Sequence, residues 1–121
     1  MAWKRMVMEL GMGTDIRGSD YTKAAMRAVH NALRQNSLVI ADAFGKPREE
    51  MRVDIHIGVQ KPENVDRQEV ASVLPYGSGS VEVVKGGMDT PKDDGTPGTI
   101  MANAALIVYL DLPENEEWVK K

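Results

Sequence analysis

The stretch WKRMVMELGMGTDIRGSDYTKAAMRAVHNALRQ, residues 3–35, predicts a strand, a glycine-rich turn and a helix in direct succession. Apolar and polar residues alternate imperfectly over residues 3–10, which is typical of a strand whose two faces are both partly covered. Over residues 19–35 the apolar side chains recur every three or four positions, as in an amphipathic helix that Ser19 or Asp20 can cap. The alanines of this helix indicate close packing onto a sheet.

The rest of the chain predicts three further strands and one more helix. Residues 51–60 and 80–85 alternate between apolar and polar side chains, and residues 99–112 are nearly continuously apolar, which favours a central strand. Asp66 and Glu69 have the spacing of a capping box, so a short helix is expected over residues 66–74. The order β-α-β-α-β-β predicts an α+β two-layer sandwich with a mixed four-stranded sheet and both helices on one face.

Composition and charge narrow the class of protein. The 121 residues suit one domain, 1–121, with a charged C-terminal tail over residues 113–121. A net charge of −3 gives no basic surface for nucleic acid, and no apolar run approaches the roughly 20 residues of a membrane helix. The absence of cysteine excludes disulfides, thiolate metal sites and cysteine nucleophiles. We therefore expect a cytoplasmic protein without nucleic-acid or membrane partners.

The predicted sheet leaves one face without helices. Residues of the strand over 51–60, including Arg52, Asp54 and His56, would lie on that face. A small domain commonly buries such a face against other copies of itself. The pattern therefore predicts a homo-oligomer.

The glycine-rich turn GMGTDIRG, residues 11–18, is the first candidate binding site. Backbone amides between a strand end and a helix start can point at an anion, and Arg17 adds a permanent positive charge. The third glycine of a dinucleotide fingerprint is missing, and no Gly-Lys-Ser/Thr of a phosphate loop follows. Either the turn binds a phosphate or carboxylate, or Gly11 and Gly13 only allow a tight connection.

The turn resembles the motif Gly-x-Gly-x-Asp-x-His-Gly of the Lin family of conserved hypothetical proteins. The resemblance extends over DYTKAAMRAVHNAL, MRVDIHIGVQKP and VEVVKGGMDT, and thus over nearly the whole chain. The family has no established activity. Gly11, Gly13, Asp15 and Gly18 match its motif, whereas Arg17 stands where the family has histidine.

A second resemblance is to methylerythritol cyclodiphosphate synthase, whose Gly-x-Asp-x-His turn binds a divalent metal. It implies a chorismate-mutase-like fold and a trimer with sites between subunits. By this resemblance Asp15 would be a metal ligand. Arg17 cannot ligate a metal because it stays protonated, so a divalent metal is disfavoured and no cofactor is predicted.

Other polar residues could contribute to a site. Asp54 and His56 share one strand face, where they form either an acid–base pair or a merely polar surface. His30 is expected to be a half-buried packing residue. Lys85 precedes two glycines that would let a ligand approach, unless it is only a solvated charge. The candidate catalytic residues are Asp15 and His56, and the candidate ligand-binding residues are Gly11, Gly13, Arg17, Gly18, Lys85, Gly86, Gly87 and Asp89.

Three functions remain open from the sequence. The first is an enzyme, or a descendant of one, that binds a small anionic ligand between subunits; a metal-dependent enzyme that resembles a lyase, cyclase or hydrolase is the alternative to it. The second is a noncatalytic oligomer that binds a ligand for regulation. The third is a purely structural module in which Asp15 accepts backbone amides and stabilises the turn.

Overall fold

A computed structural model describes residues 2–16, 20–34, 39–75, 79–96 and 98–113 of the chain. Arg17 and Gly18, two of the candidate ligand-binding residues, lie outside these ranges, as does nearly all of the charged tail. Among the helices within these ranges, none has the length and apolar character needed to cross a membrane.

The fold is α+β, as the sequence predicts, and the described residues form a mixed sheet of five strands. Its order is β1-β5-β2-β3, in which β5 runs antiparallel to both β1 and β2, while β3 runs parallel to β2. A short β4 pairs with the beginning of β5 and adds a fifth strand to the four predicted. The strands are β1 (Ala2–Asp15), β2 (Arg52–Val59), β3 (Val81–Lys85), β4 (Met88–Thr90) and β5 (Thr99–Leu112).

The predicted helices are present, and both begin at an aspartate. Asp20 caps α1 (Tyr21–Leu33) by accepting a hydrogen bond from the backbone N–H of Lys23 at 3.0 Å. Asp66 caps α3 (Arg67–Ala71) through the backbone N–H groups of two residues in its first turn. Each side chain satisfies amides that have no partner within the helix. A further short helix, α2 (Ile40–Ala43), follows α1 in the chain.

The hydrophobic core lies between α1, α3 and one face of the sheet. Alternate residues of the two central strands point into it, because neighbouring residues in a strand face opposite sides. These inward-pointing residues of β2 and of the central part of β5 are at most 1% exposed, except Ala104, which is 3% exposed. They are Val53, Ile55, Ile57 and Val59 from β2, and Ala102, Ala104, Leu106, Val108 and Leu110 from β5.

Gly11 and Gly13 lie inside β1, so the prediction of a glycine-rich turn starting at residue 11 is wrong. The strand continues to Asp15 and stays paired with β5 along this stretch. A Cβ atom on Gly11 would lie 2.3 Å from the carbonyl oxygen of Ala28, a distance that no folded backbone allows. The glycines therefore let the backbone of α1 approach β1 directly, and they do not serve a turn.

No helix of the described residues packs on the other face of the sheet. Met8, Leu10 and Met12 of β1 lie on it, and Leu10 is 58% exposed. Arg52, Asp54 and His56 lie on the same face, as predicted, because the register pairs them with residues of β5 that also point there. We refer to this surface, formed by alternate residues of β1, β5, β2 and β3, as the open face.

A methyl group at Gly13 tests the close contact between α1 and β1. In Gly13→Ala the new Cβ would lie 2.2 Å from the backbone nitrogen of Ala28, so the helix must move off the sheet. We expect a loss of about 3 kcal/mol in the free energy of unfolding, measured with urea. Gly58→Ala is the control, because its Cβ would come no closer than 3.3 Å to another atom. Equal losses in both variants would contradict this role of Gly13.

Candidate functional site

Asp15 joins the end of β1 to the beginning of α1. Its side chain is buried, with 5% of the residue exposed. One carboxylate oxygen accepts a hydrogen bond from the backbone N–H of Asp20 at 2.8 Å. The other lies 3.6 Å from the guanidinium of Arg27. The carboxylate thus holds the connection between strand and helix and also positions an arginine.

Two side chains of α1 reach the free edge of β1. Arg27 donates to the carbonyl oxygen of Thr14 at 2.7 Å, and the side-chain oxygen of Asn31 accepts from the backbone N–H of Met12 at 3.0 Å. Both backbone groups belong to an edge strand, where they would otherwise need water as a partner. The helix therefore covers the last part of this edge with polar contacts.

A basic groove of about 360 Å³ lies where α1 crosses this edge. Three of its lining side chains, Arg27, His30 and Arg34, are basic, and none of the described residues that line it carries a carboxylate. His30 is exposed, so the expectation of a half-buried packing histidine is wrong. In the described part of the chain, the guanidinium of Arg34 has no ion-pair partner. The described residues that line the basic groove are Met12, Gly13, Thr14, Arg27, His30, Asn31 and Arg34.

Asp89 lies in a second cleft, at the opposite end of α1. It sits on β4 and accepts a hydrogen bond from the buried hydroxyl of Tyr21. Burial and this hydrogen bond raise the pKa of Tyr21 to about 12, so the phenol stays neutral at physiological pH. Asp15 and Asp89 pair with Ile100 from opposite sides of β5. The structure thus brings these two predicted site residues to the same end of the sheet.

The chain passes the end of β2 after β3, at Lys85, Gly86 and Gly87. Gly87 has a φ of 64°, and its Cβ would come within 2.2 Å of the carbonyl oxygen of Met101. The side-chain amide of Gln60 donates to the carbonyl oxygens of Gly86 at 3.0 Å and Gly87 at 3.4 Å. The two glycines have a backbone role in this crossing, and their role in ligand binding stays a prediction.

Asp54 and His56 lie on the open face, where each faces a charged neighbour. The imidazole Nδ1 of His56 is 3.6 Å from the carboxylate of Glu82, and Asp54 is 3.5 Å from the guanidinium of Arg52. Asp15, in contrast, points to the helix-covered face. A single chain therefore does not bring the two candidate catalytic residues, Asp15 and His56, together.

Of the described residues that line the two clefts, Gly13 and Asp89 are among the predicted site residues, and the others are not. Arg27, His30 and Arg34 are spaced by three and four positions, which places them on one side of a helix. That spacing was visible and could have identified the basic groove. Tyr21 and Lys61 carry no such signal, because their proximity to Asp89 depends on the packing of three separate elements.

Comparisons with known proteins extend over most of the chain. The model of a family of conserved hypothetical proteins, Lin0512, matches residues 5–108. Among solved structures, the chain is similar to a FtsZ-like protein of unknown function from Nostoc punctiforme PCC 73102. The two are 35% identical with a TM-score of 0.82, and the match covers 93% of this chain and 99% of the other. No curated protein matches the sequence.

The match confirms the family that the sequence resembles, while the likeness to methylerythritol cyclodiphosphate synthase stays a prediction. Neither the family description nor the similar structure carries an assigned activity. The chain belongs to the Lin0512 family of conserved hypothetical proteins.

Proposed function

We propose that the protein is a homo-oligomer that binds a small anionic ligand, a phosphate or a carboxylate, in the basic groove. The observation that carries this proposal is the convergence of Arg27, His30 and Arg34 on one groove whose described lining includes no carboxylate. Arginine suits such ligands, because its planar guanidinium donates two parallel hydrogen bonds to an anion. The ligand class is the one predicted from the sequence, and its site lies partly on the same stretch of chain.

The two arginines of the groove are placed differently. Arg27 is held by the carbonyl oxygen of Thr14 and by Asp15, so its position is set before a ligand arrives. Arg34 is the C-terminal cap of α1, and its backbone N–H bonds to carbonyl oxygens of the helix. Its guanidinium forms no ion pair with a described residue and can bind a ligand. A fixed and an adjustable guanidinium together suit an anion with several oxygens, because one orients it while the other closes onto it.

Asp15 acts in this proposal as a positioning residue. Its carboxylate is occupied by the N–H of Asp20 and the guanidinium of Arg27, which argues against a role as a free general base. The geometry also separates Asp15 from His56. These two observations favour noncatalytic binding over the enzyme hypothesis.

The open face supports assembly with further copies of the chain. The end of β1 nearest the basic groove exposes apolar side chains on it, with Met8 49% and Met12 53% exposed, and monomers rarely expose large contiguous apolar patches. The remainder carries charges of both signs, including Arg52 and Glu82, so another copy presents complementary groups. Met12 belongs to both the open face and the basic groove, so the proposed ligand would lie at the border of the proposed subunit interface. From the chorismate-mutase-like resemblance we propose a trimer.

We also propose that the protein is located in the cytoplasm. The chain contains no cysteine, so nothing in its chemistry calls for an oxidising compartment.

Removal of one arginine tests the anion site. We expect inorganic phosphate to raise the melting temperature of the protein at constant ionic strength, and Arg34→Ala to weaken this phosphate binding about tenfold. A charge-assisted hydrogen bond contributes about 1.5 kcal/mol or more, which corresponds to that factor. Lys23→Ala is the matched control, because it removes a positive charge from an exposed position of α1 that does not line the groove. Equal phosphate stabilisation of Arg34→Ala and the wild type would refute the assignment.

A charge on the open face tests the assembly. We expect the wild type to elute as an oligomer in size-exclusion chromatography with light scattering, and Leu10→Asp to shift toward the 13.3 kDa monomer. The reason is that the carboxylate would be buried without a partner at the interface. Val39→Asp is the control, since Val39 is 51% exposed but precedes α2 and lies off the sheet. A wild type that is monomeric at micromolar concentration would contradict the proposed assembly.

A further inference from the structure

A cleft of about 390 Å³ at the N-terminal end of α1 has no part in the proposed anion site. It lies between that helix, the 3-10 turn Pro62–Asn64 and the segment that joins β4 to β5. Ile100 of the core contributes to its lining. The polar side chains around it are those of Tyr21, Lys61, Asn64, Asp89, Thr96 and Thr99.

The walls of the cleft are fixed by hydrogen bonds. The hydroxyl of Thr22 donates to the carbonyl oxygen of Asn64 at 3.3 Å and accepts from the backbone N–H of Asp66 at 2.8 Å, which fastens the 3-10 turn to α1. On the opposite wall, a carboxylate oxygen of Asp94 accepts from the backbone N–H of Thr96 at 3.0 Å and from its hydroxyl. The wall formed by the 3-10 turn is therefore in place before a ligand enters.

Two opposite charges lie in this cleft without compensating each other. One carboxylate oxygen of Asp89 accepts from the neutral hydroxyl of Tyr21, and the second accepts no hydrogen bond from the described part of the chain. The ammonium group of Lys61 forms no ion pair with any described residue, Asp89 included. A ligand with a single charge would satisfy only one of the two groups.

We propose that this cleft binds a small zwitterion, a molecule of the amino-acid class with one ammonium and one carboxylate group. The ammonium group binds the free oxygen of Asp89, and the carboxylate binds the ammonium of Lys61. Charge-assisted hydrogen bonds of this kind are short and strong in a partly enclosed site. The hydroxyls of Thr96 and Thr99 and the amide of Asn64 are available for further polar groups of the ligand.

Tyr21 orients the carboxylate at one end of the cleft. Its raised pKa means that the phenol stays neutral and donates its proton in a hydrogen bond to Asp89. The negative charge of Glu63 acts on the same phenol and adds to the negative potential at this end. A cationic group is therefore favoured beside Tyr21, and the anionic group lies toward Lys61.

Calorimetric titration of the full chain with simple probes tests the proposal. Glycine, β-alanine and γ-aminobutyrate are zwitterions of graded length, while acetate and methylammonium each carry one of the two charges. We expect at least one zwitterion to bind more than about tenfold more tightly than acetate or methylammonium, because only the zwitterion satisfies both side chains. Binding of a singly charged probe as tightly as the best zwitterion, or no binding of any zwitterion, would overturn the proposal.

Variants assign the binding to this cleft. Asp89→Asn keeps an acceptor for Tyr21 and removes the charge, and Lys61→Gln removes the other charge. Each should raise the Kd of the best zwitterion about tenfold. Asp93→Asn and Lys92→Gln are the controls, since both residues are exposed in the same segment and do not line the cleft. An unchanged Kd in either cleft variant would contradict the assignment. Phosphate binding in the basic groove is a separate readout, which Asp89→Asn should leave intact.

Discussion

The contact between the backbones of α1 and β1 determines where nearly everything else in this fold lies. It exists because two glycines of the strand, Gly11 and Gly13, face three alanines of the helix, Ala24, Ala28 and Ala32. Side chains of ordinary size would keep a helix about 10 Å from a sheet, and their absence lets the helix axis approach much more closely. The core at this point consists of backbone against backbone, with larger residues filling the space on the β2 side.

This close approach also produces the candidate sites. Because the helix lies so near the edge of β1, the side chains of Arg27 and Asn31 reach the strand backbone, and the basic groove forms beside them. At its other end the helix places Tyr21 against β4, which creates the second cleft. A family member with a bulkier residue in place of Gly13 would have to displace the helix, and both clefts would change shape together.

The sequence predicts much of the fold but little of the site geometry. Strict alternation over residues 51–60 identifies β2 because burial of one sheet face leaves a signal in every second residue. The same reasoning fails at Gly11 and Gly13, because a glycine shows that a side chain is excluded but not whether the cause is a turn or a neighbouring backbone. The three residues of β4 are missed since their pairing with β5 is nonlocal and too short to show a period. The groove residues share a helix face, yet only the packing of α1 on the strand shows which face is used.

The contacts of Asn31 and Arg27 with the edge of β1 have a consequence for how this sheet can grow. An edge strand offers free N–H and C=O groups to any extended chain that comes alongside it. Here the N–H of Met12 and the C=O of Thr14 are already occupied by α1, so an incoming strand would have to break both bonds before pairing at that end. Extension of the sheet by strand addition is therefore hindered along this part of β1. The proposed assembly through the open face would leave both of these bonds intact.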